Sequence, residues 1–150
     1  RRALAENQAA AERLHIAVDV VEAGAPEELE RAFSTMAQGH FDAVIVSHTA
    51  WYFIVRGRLA ELALAHGLPT IAPTTIFTEA GALLAYGPNQ PALMRGCALY
   101  VDQILKGAKP AGLPVQQPTE FEFVVNLKTA KALGLTIPPS ILFQADKVIQ

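Results

Sequence analysis

Short apolar runs alternate with longer amphipathic segments along most of this chain. The runs at 16–21, 43–46, 68–72, 82–86 and 121–125 predict strands. The first of them, IAVDVV, is β-branched and nearly continuous, as is typical of a strand covered on both faces. Because helical patterns separate these runs, we predict an α/β fold in three layers, with a parallel sheet flanked by helices.

The amphipathic segments predict helices, several of which begin at Pro or end at Gly. In the last one, Pro138 and Pro139 open a helix whose apolar positions continue as far as Ile149. The helices are expected at 3–14, 26–38, 50–66, 91–106, 127–133 and 138–149, with a turn or short helix at 76–81.

Composition and charge narrow the classes of function. The 150 residues are 51% hydrophobic and 17% charged, with a net charge of −2 and no basic block, so nothing suggests nucleic acid as a partner. No uninterrupted apolar run is long enough to span a membrane. The single cysteine, Cys97, lies on the apolar stripe of its helix and is expected to be buried and inert.

The two ends of the chain differ in what they predict. Residues 1–15 resemble the body of an amphipathic helix and lack the apolar core of a signal peptide, so we interpret the chain as a fragment whose preceding strand is missing. A Pro-rich connector begins after Gly107. We therefore place a domain boundary there, between an α/β ligand-binding lobe at 1–107 and a C-terminal segment at 108–150.

Catalytic and cofactor motifs are not found. The four histidines lack metal-ligand spacing, no glycine-rich phosphate loop occurs, and the nucleophile pattern G-x-S-x-G is missing. We expect no metal and no cofactor. A hydrolase that uses His48 beside Ser47 would need a base, a nucleophile and an orienting group, and no such set is readable, so we do not expect an enzyme.

Small polar side chains follow two neighbouring strands of the predicted sheet. Ligands of open α/β sheets bind beyond the carboxyl ends of such strands, and polar groups among aromatics are typical of small-molecule pockets. The alternative is that the hydroxyls cap helices and the aromatics belong to the core. The candidate ligand-binding residues are Ser47, His48, Thr49, Trp51, Thr74, Thr75 and Glu79.

From about Pro26 onward, the chain resembles the substrate-binding proteins of ATP-binding-cassette (ABC) transporters, a family that includes tryptophan- and tyrosine-type uptake proteins. The matching blocks are AELALAHGLPTIAP (60–73), FTEAGALLAYGPN (77–89) and a long stretch at 100–146. That stretch contains KGAKP, LPVQQPT and NLKTAKALGLTIP in this order. The resemblance implies one lobe of a type I periplasmic binding fold, in which two lobes close on a ligand, plus a C-terminal segment that returns toward the first lobe.

The resemblance also implies a function. The chain is expected to be the ligand-binding lobe of a periplasmic or extracytoplasmic protein that delivers a small organic molecule, an amino acid or an aromatic or branched acid, to an ABC permease. A sensory or regulatory ligand-binding domain of the same fold is the alternative. A homodimer of the fragment is a further expectation, because the returning segment has lost its own partner surface.

The chain departs from its relatives in the two candidate loops. Relatives often have Ser-Asp-Pro after the first of these strands, where this chain has Ser47-His48-Thr49. After the second strand they often carry an aromatic-Pro-x-Arg-Glu run, where this chain has 72–76, APTTI. Neutral or titratable groups thus replace charged ones, so we expect a neutral or weakly anionic ligand with an aromatic or branched apolar body.

Overall fold

The structure is a computed structural model that describes the backbone of residues 2–150 and the side chains of residues 5–150. Within them lies a sheet of five strands, which are neighbours in chain order. Three pairings are parallel, and the third strand pairs antiparallel with the fourth. The strands are β1 (Val44–Ile45), β2 (Thr70–Ala72), β3 (Leu84–Pro88), β4 (Phe121–Asn126) and β5 (Lys147–Ile149).

Helices flank this sheet, so the predicted fold class is confirmed, with one antiparallel pair in a mostly parallel sheet. Both strands that follow the predicted boundary at residue 107 join the same sheet as β1–β3. The helices are α1 (Arg2–Arg13), α2 (Pro26–Gln38), α3 (Ala50–Ile54), α4 (Arg56–Ala65), α5 (Thr75–Glu79), α6 (Gln90–Leu105), α7 (Leu127–Ala132) and α8 (Pro139–Gln144).

The main core lies between the sheet and three of these helices, α2, α4 and α5. Phe33 of α2 and Phe77 of α5 are almost completely buried, and Leu59 and Leu62 of α4 join the same cluster. Burial of an aromatic side chain contributes about 2 to 3 kcal/mol by the transfer of its apolar area from water. The periodic apolar positions predicted for the helix at 26–38 are therefore the ones through which α2 packs into this core.

The expected single helix at 50–66 is two helices that meet at Val55. The amide of Val55 donates to the carbonyl oxygen of Trp51 at 3.1 Å, and its own carbonyl accepts from the amide of Leu59 at 2.9 Å. At the break, Nη1 of Arg56 donates to the carbonyl oxygen of Phe53 at 2.6 Å. Val55 is β-branched and is followed closely by Gly57, and both residue types have a low helix propensity. Arg56 gives the carbonyl oxygen of Phe53 a hydrogen bond at the end of α3, so the first helix can end here.

The predicted strand at 16–21 is wrong. Residues 16–24 form no strand in the described structure, and Ile16 and Val20 are 56% and 51% exposed. The amide of Ile16 is used by α1, because it donates to the carbonyl oxygen of Ala11 at 2.9 Å. β-propensity measures how well a residue fits a pleated, half-buried surface, and this segment has no neighbouring strand to supply that surface.

The helix predicted to run to Ile149 ends at Gln144 and is followed by β5. Asp146 causes the change, because its amide donates to the carbonyl oxygen of Phe123 and its Oδ2 accepts from the amide of Phe123, both at 2.8 Å. This reciprocal pair attaches the chain to β4. The β-branched residues Val148 and Ile149 then continue as a strand.

Helix α6 contrasts with the helices of the core. It has no buried residue, and Met94 and Leu105 are 69% and 82% exposed. Cys97 is exposed as well, so its predicted burial is wrong. Periodic apolar residues show that a helix has an apolar face, but another element must cover that face before its residues are buried.

Candidate functional site

The carboxyl ends of β1, β2 and β3 meet at one edge of the sheet. The parallel register pairs Ile45 with Ile71, and the amide of Val46 donates to the carbonyl oxygen of Ile71 at 2.9 Å. The loop that follows β1 and the loop that follows β2 are therefore neighbours. We call this region the carboxyl edge, and it is where ligands of open α/β sheets bind.

The loop after β1 places His48 against a row of aromatic rings. His48 and Phe53 meet edge to face, with ring centroids 5.1 Å apart, and Phe53 meets the buried ring of Phe77 in the same way at 5.1 Å. The His48 side chain is exposed on its other side. The imidazole is thus positioned through Phe53 by the core, while it remains open to solvent.

Ser47 and Thr49 are also exposed, and Thr49 has a structural role. It is the N-cap of α3, where its Oγ1 accepts from the amide of Tyr52 at 3.3 Å. This is the capping role that the sequence left as an alternative for the hydroxyls. Ser47 has no such bond within the described structure.

Helix α3 carries the half-buried Trp51 beside Tyr52, with ring centroids 5.1 Å apart. Burial raises the pKa of the Tyr52 hydroxyl, a hydrogen bond with the backbone of Ala23 lowers it, and the nearby Glu22 carboxylate raises it, with burial dominant. Tyr52 thus connects α3 to the extended segment after α1. This contact helps to hold Trp51 next to the carboxyl edge.

The loop after β2 contains an unusual polar group. Thr74 is 3% exposed, and its Oγ1 is buried with no hydrogen-bond partner within the described structure. It precedes α5 but does not cap it through its side chain. The adjacent Thr75 is half-buried, and its carbonyl oxygen accepts from Oγ1 of Thr78 at 2.7 Å.

Gly87 at the end of β3 fixes the position of that loop. A side-chain carbon at Gly87 would lie 1.8 Å from the carbonyl oxygen of Pro73, which is far shorter than any contact between non-bonded atoms. The close approach therefore requires glycine. It places the backbone of Pro73 directly over Gly87 and leaves Thr74 next to β3.

Glu79 differs from the other candidates. It lies at the end of α5, where its exposed Oε1 pairs with Nζ of Lys147 on β5 at 3.1 Å. The structure therefore brings together the loops at 47–49 and 73–75, whereas it joins Glu79 to the last strand. Both partners are more than half exposed, so this ion pair is worth little in stability.

Sequence reasoning missed two residues at the carboxyl edge, Asn89 and Glu122. Nδ2 of Asn89 donates to Oε1 of Glu122 at 2.5 Å, and Oδ1 of Asn89 accepts from the amide of Ala92 at 2.7 Å as the N-cap of α6. Two signals were available. Asn89 directly precedes the Gln90-Pro91 helix start, and Glu122 is the polar residue of the apolar run FEFVV.

Among the described residues, no group of three or more metal-ligating side chains is close enough to hold a metal ion. No helix among them has the length and apolar character needed to cross a bilayer. A cavity of about 220 Å³ lies between α6 and the connector, and Asn89, Cys97 and Tyr100 are among the residues that line it. Oη of Tyr100 donates to the carbonyl oxygen of Pro114 in the connector at 2.6 Å.

The family model for the ABC transporter substrate binding protein matches residues 1–149. The chain belongs to this family of substrate-binding proteins. The resemblance of the sequence to it is thereby confirmed. None of the curated protein sequences matches this chain.

Three solved structures share the fold. An ABC domain from Streptococcus pneumonia, in complex with L-Trp, is 28% identical with a TM-score of 0.89, and the match covers 99% of this chain and 50% of that one. A conserved domain protein from Vibrio cholerae O1 biovar El Tor is 26% identical with a TM-score of 0.85, and the match covers 97% and 49%. A third structure is the ligand-free, open form of CD0873, a substrate binding protein with adhesive properties from Clostridium difficile. It is 20% identical with a TM-score of 0.70, and the match covers 98% of this chain and 48% of that one. At this identity, the likeness shows the fold alone.

The chain thus spans about half the length of the structures that it matches. This share is consistent with the interpretation of the chain as a fragment.

Proposed function

We propose that this chain is the ligand-binding lobe of an extracytoplasmic solute-binding protein, which delivers a small organic molecule to an ABC importer. The observation that supports this most directly is the match of the family model for the ABC transporter substrate binding protein to residues 1–149. The loops after β1 and β2 lie side by side at the carboxyl edge, where ligands of open α/β sheets bind.

The residues around Thr74 favour a ligand with an aromatic or branched apolar body. Phe53 lies between His48 and the core, and Trp51 is half-buried on the same short helix, so apolar surface borders the polar loops. A few polar groups among aromatic rings are the usual composition of a small-molecule site. The similar domain from Streptococcus pneumonia is in complex with L-Trp, which fits this ligand class.

In this proposal, the ligand is neutral or weakly anionic and carries no strong charge. The loops carry serine, threonine and one histidine, so no fixed positive charge comes from them. The candidate contacts are Ser47, His48, Thr49, Trp51, Thr74 and Thr75, with Glu79 as the outermost because it is held by Lys147. A second wall of the site would come from the half of the relatives' length that this chain does not span.

Thermal unfolding in the presence of amino acids, aromatic acids and small amides tests the proposal. A compound at about 100 times its Kd stabilises the folded state by about 2.7 kcal/mol, so even weak ligands raise Tm at high concentration. We expect aromatic or branched amino acids to give the largest rise. A panel in which no compound raises Tm contradicts the proposal.

Trp51 gives a second, local measurement because it is the only tryptophan of the chain. Ligands without an indole ring should change its fluorescence with the same concentration dependence as the rise in Tm. A control variant, Lys106→Met, changes an exposed side chain at the end of α6, outside the candidate contacts, and should leave both responses unchanged. A ligand that raises Tm without changing the fluorescence removes Trp51 from the site.

A further inference from the structure

The two edges of the described sheet differ in their residues. The sheet ends at β1 on one side and at β5 on the other. β5 carries Lys147, and lysine on an edge strand discourages pairing with other chains. The run AVIV at 43–46 has no charged residue and no proline, and Ile45 of β1 is 62% exposed. β1 therefore lies at an edge but has the residues of an internal strand.

The backbone of β1 is bonded to a strand on one side. The amides of Val44 and Val46 donate to the carbonyl oxygens of Pro69 and Ile71 at 2.8 and 2.9 Å, toward β2. Successive residues of a strand direct their N–H and C=O groups to alternate sides, so both groups of Ile45 face away from β2. Within the described backbone, no strand lies on that side. Because backbone groups of buried strands are normally paired, one more strand fits there.

The segment 16–21 lacks a neighbour in the same way. Its run IAVDVV has the composition of a strand covered on both faces, yet in the described structure only its first amide forms a backbone hydrogen bond. Val21 packs against the same apolar cluster as Val44 of β1, and the backbone of Ala23 forms a hydrogen bond with Tyr52 of α3. The segment thus runs toward the carboxyl edge, in the direction of β1.

We infer that a strand of the full-length protein, located before α1, inserts between β1 and the segment 16–21. One inserted strand pairs with the unbonded backbone on both sides and supplies the pleated surface that the β-branched residues fit. Parallel strands need a crossover connection, usually a helix. Because α1 leads directly into 16–21, the strand parallel to this segment lies before α1.

The length of the relatives is consistent with this occupant. The chain spans about half the length of the structures that it matches, so those proteins have residues enough for a further strand. With the strand inserted, β1 becomes internal and 16–21 becomes part of the sheet. The inference concerns the sheet alone and does not depend on which ligand the protein binds.

Amide hydrogen exchange of the ¹⁵N-labelled full-length protein tests the inference. The amides of Val44 and Val46 are internal controls, because both are bonded to β2. We expect the amide of Ile45 to exchange as slowly as these two, and about 100-fold or more slowly than in the 150-residue chain. Nuclear Overhauser contacts from Ile45 and from 16–21 should lead to the same residues before α1.

Three results overturn the inference. In the first, the amide of Ile45 exchanges equally fast in the two proteins, so nothing has been added at this edge. In the second, it is already as slow as the controls in the 150-residue chain. In the third, the contacts of Ile45 lead to residues after position 150 or to a second molecule, which makes one of these the occupant.

A matched pair of proline variants gives an independent measurement. Ile45→Pro removes an N–H that faces away from β2, whereas Val44→Pro removes one that β2 uses. In the 150-residue chain, we expect Ile45→Pro to lower Tm by about half as much as Val44→Pro or less, because an edge strand tolerates proline on its outer side. In the full-length protein, the two losses should be equal. A smaller loss for Ile45→Pro in the full-length protein contradicts the inserted strand.

Discussion

Polar side chains lie at both ends of the sheet, and the two ends differ in whether these side chains have hydrogen-bond partners. At the end of β4, Nδ2 of Asn126 donates to the carbonyl oxygen of Thr78 at 2.8 Å, and Oδ1 of Asn126 accepts from the amide of Thr129 at 3.1 Å. Oγ1 of Thr129 donates to the carbonyl oxygen of Gly81 at 2.9 Å. At the carboxyl edge, Oγ1 of the similarly buried Thr74 has no hydrogen-bond partner in the part of the chain that the structure describes.

The difference separates two uses of a buried polar residue. Asn126 ties α5, β4 and α7 together, so its polarity serves the fold. The hydroxyl of Thr74 forms no comparable bond within the described structure, so its polarity does not tie elements of the fold together. If this distinction is right, substitutions at the two ends should affect stability and binding in opposite ways.

Gly87→Ala should give the largest loss of stability. The added carbon would meet the carbonyl oxygen of Pro73 at 1.8 Å, so backbone must move, and we expect a loss of about 3 kcal/mol or more in the free energy of unfolding. Gly96→Ala is the matched control, because a carbon added there meets nothing within 4 Å and favours the helix. Urea denaturation measures both, and a Gly87→Ala chain as stable as the wild type means that the Pro73 loop is not fixed by this contact.

Asn126→Ala comes next, with an expected loss of about 2 to 3 kcal/mol. The amide of Thr129 loses its side-chain acceptor, and the carbonyl oxygen of Thr78 keeps only the amide of Gly81, in a region where Asn126 is only 5% exposed. Thr129→Val, which removes a single bond to Gly81, should cost about 1 kcal/mol. A loss below that of Thr129→Val would show that this end of the sheet does not depend on Asn126.

Thr74→Val should change stability by less than about 1 kcal/mol, and in the stabilising direction. The substitution keeps the shape of the side chain and removes a hydroxyl that has no partner. Ligand-induced increases in Tm should shrink at the same time. A clear loss of stability with unchanged ligand response would place Thr74 in the same structural class as Asn126.

Lys147→Met should have the smallest effect, below about 0.5 kcal/mol. Lys147 and Glu79 are both more than half exposed, and solvent screens such pairs. The double variant with Glu79→Gln measures the coupling energy between the two residues. A coupling energy above about 1 kcal/mol would show that the ion pair between Lys147 and Glu79 stabilises the fold, as the hydrogen bonds of Asn126 do.

Much of the fold could be predicted from periodicity and chain breakers. Pro26 begins α2, the polar residues after β1 and β2 mark the strand ends, and the mostly parallel order follows from the alternation of strands and helices. These signals are local, and each element needs only its own residues to be recognised. They also placed the loops at 47–49 and 74–75 at one edge of the sheet.

The break of the expected helix at Val55 has local causes, but the other errors concern what surrounds an element. The segment 16–21 has the residues of a strand but no neighbour, and Cys97 lies on an apolar face that nothing covers. Residues 145–149 have helical spacing, yet Asp146 pairs with Phe123 from a strand more than twenty positions earlier. Such long-range partners cannot be recovered from a periodic pattern within one segment.

The candidate site was predicted in part for the same reason. The predicted ends of the strands identify the loops, so the hydroxyls at 47–49 and 74–75 were found. The sequence pattern does not show which of these hydroxyls has a hydrogen-bond partner. The cap formed by Thr49 and the missing partner of Thr74 depend on atomic positions. Glu122 was missed because its edge is defined by an antiparallel strand that arrives after a long connector.

The exposure of Cys97 makes the chain convenient for single-site labelling. It is the only cysteine, and it lies on the surface of α6, while the only tryptophan lies on α3 after the loop of His48. A thiol-reactive dye at Cys97 that absorbs indole emission would form a donor and acceptor pair with Trp51. Energy transfer between them would report the distance from α6 to the carboxyl edge in solution, without any substitution in the protein.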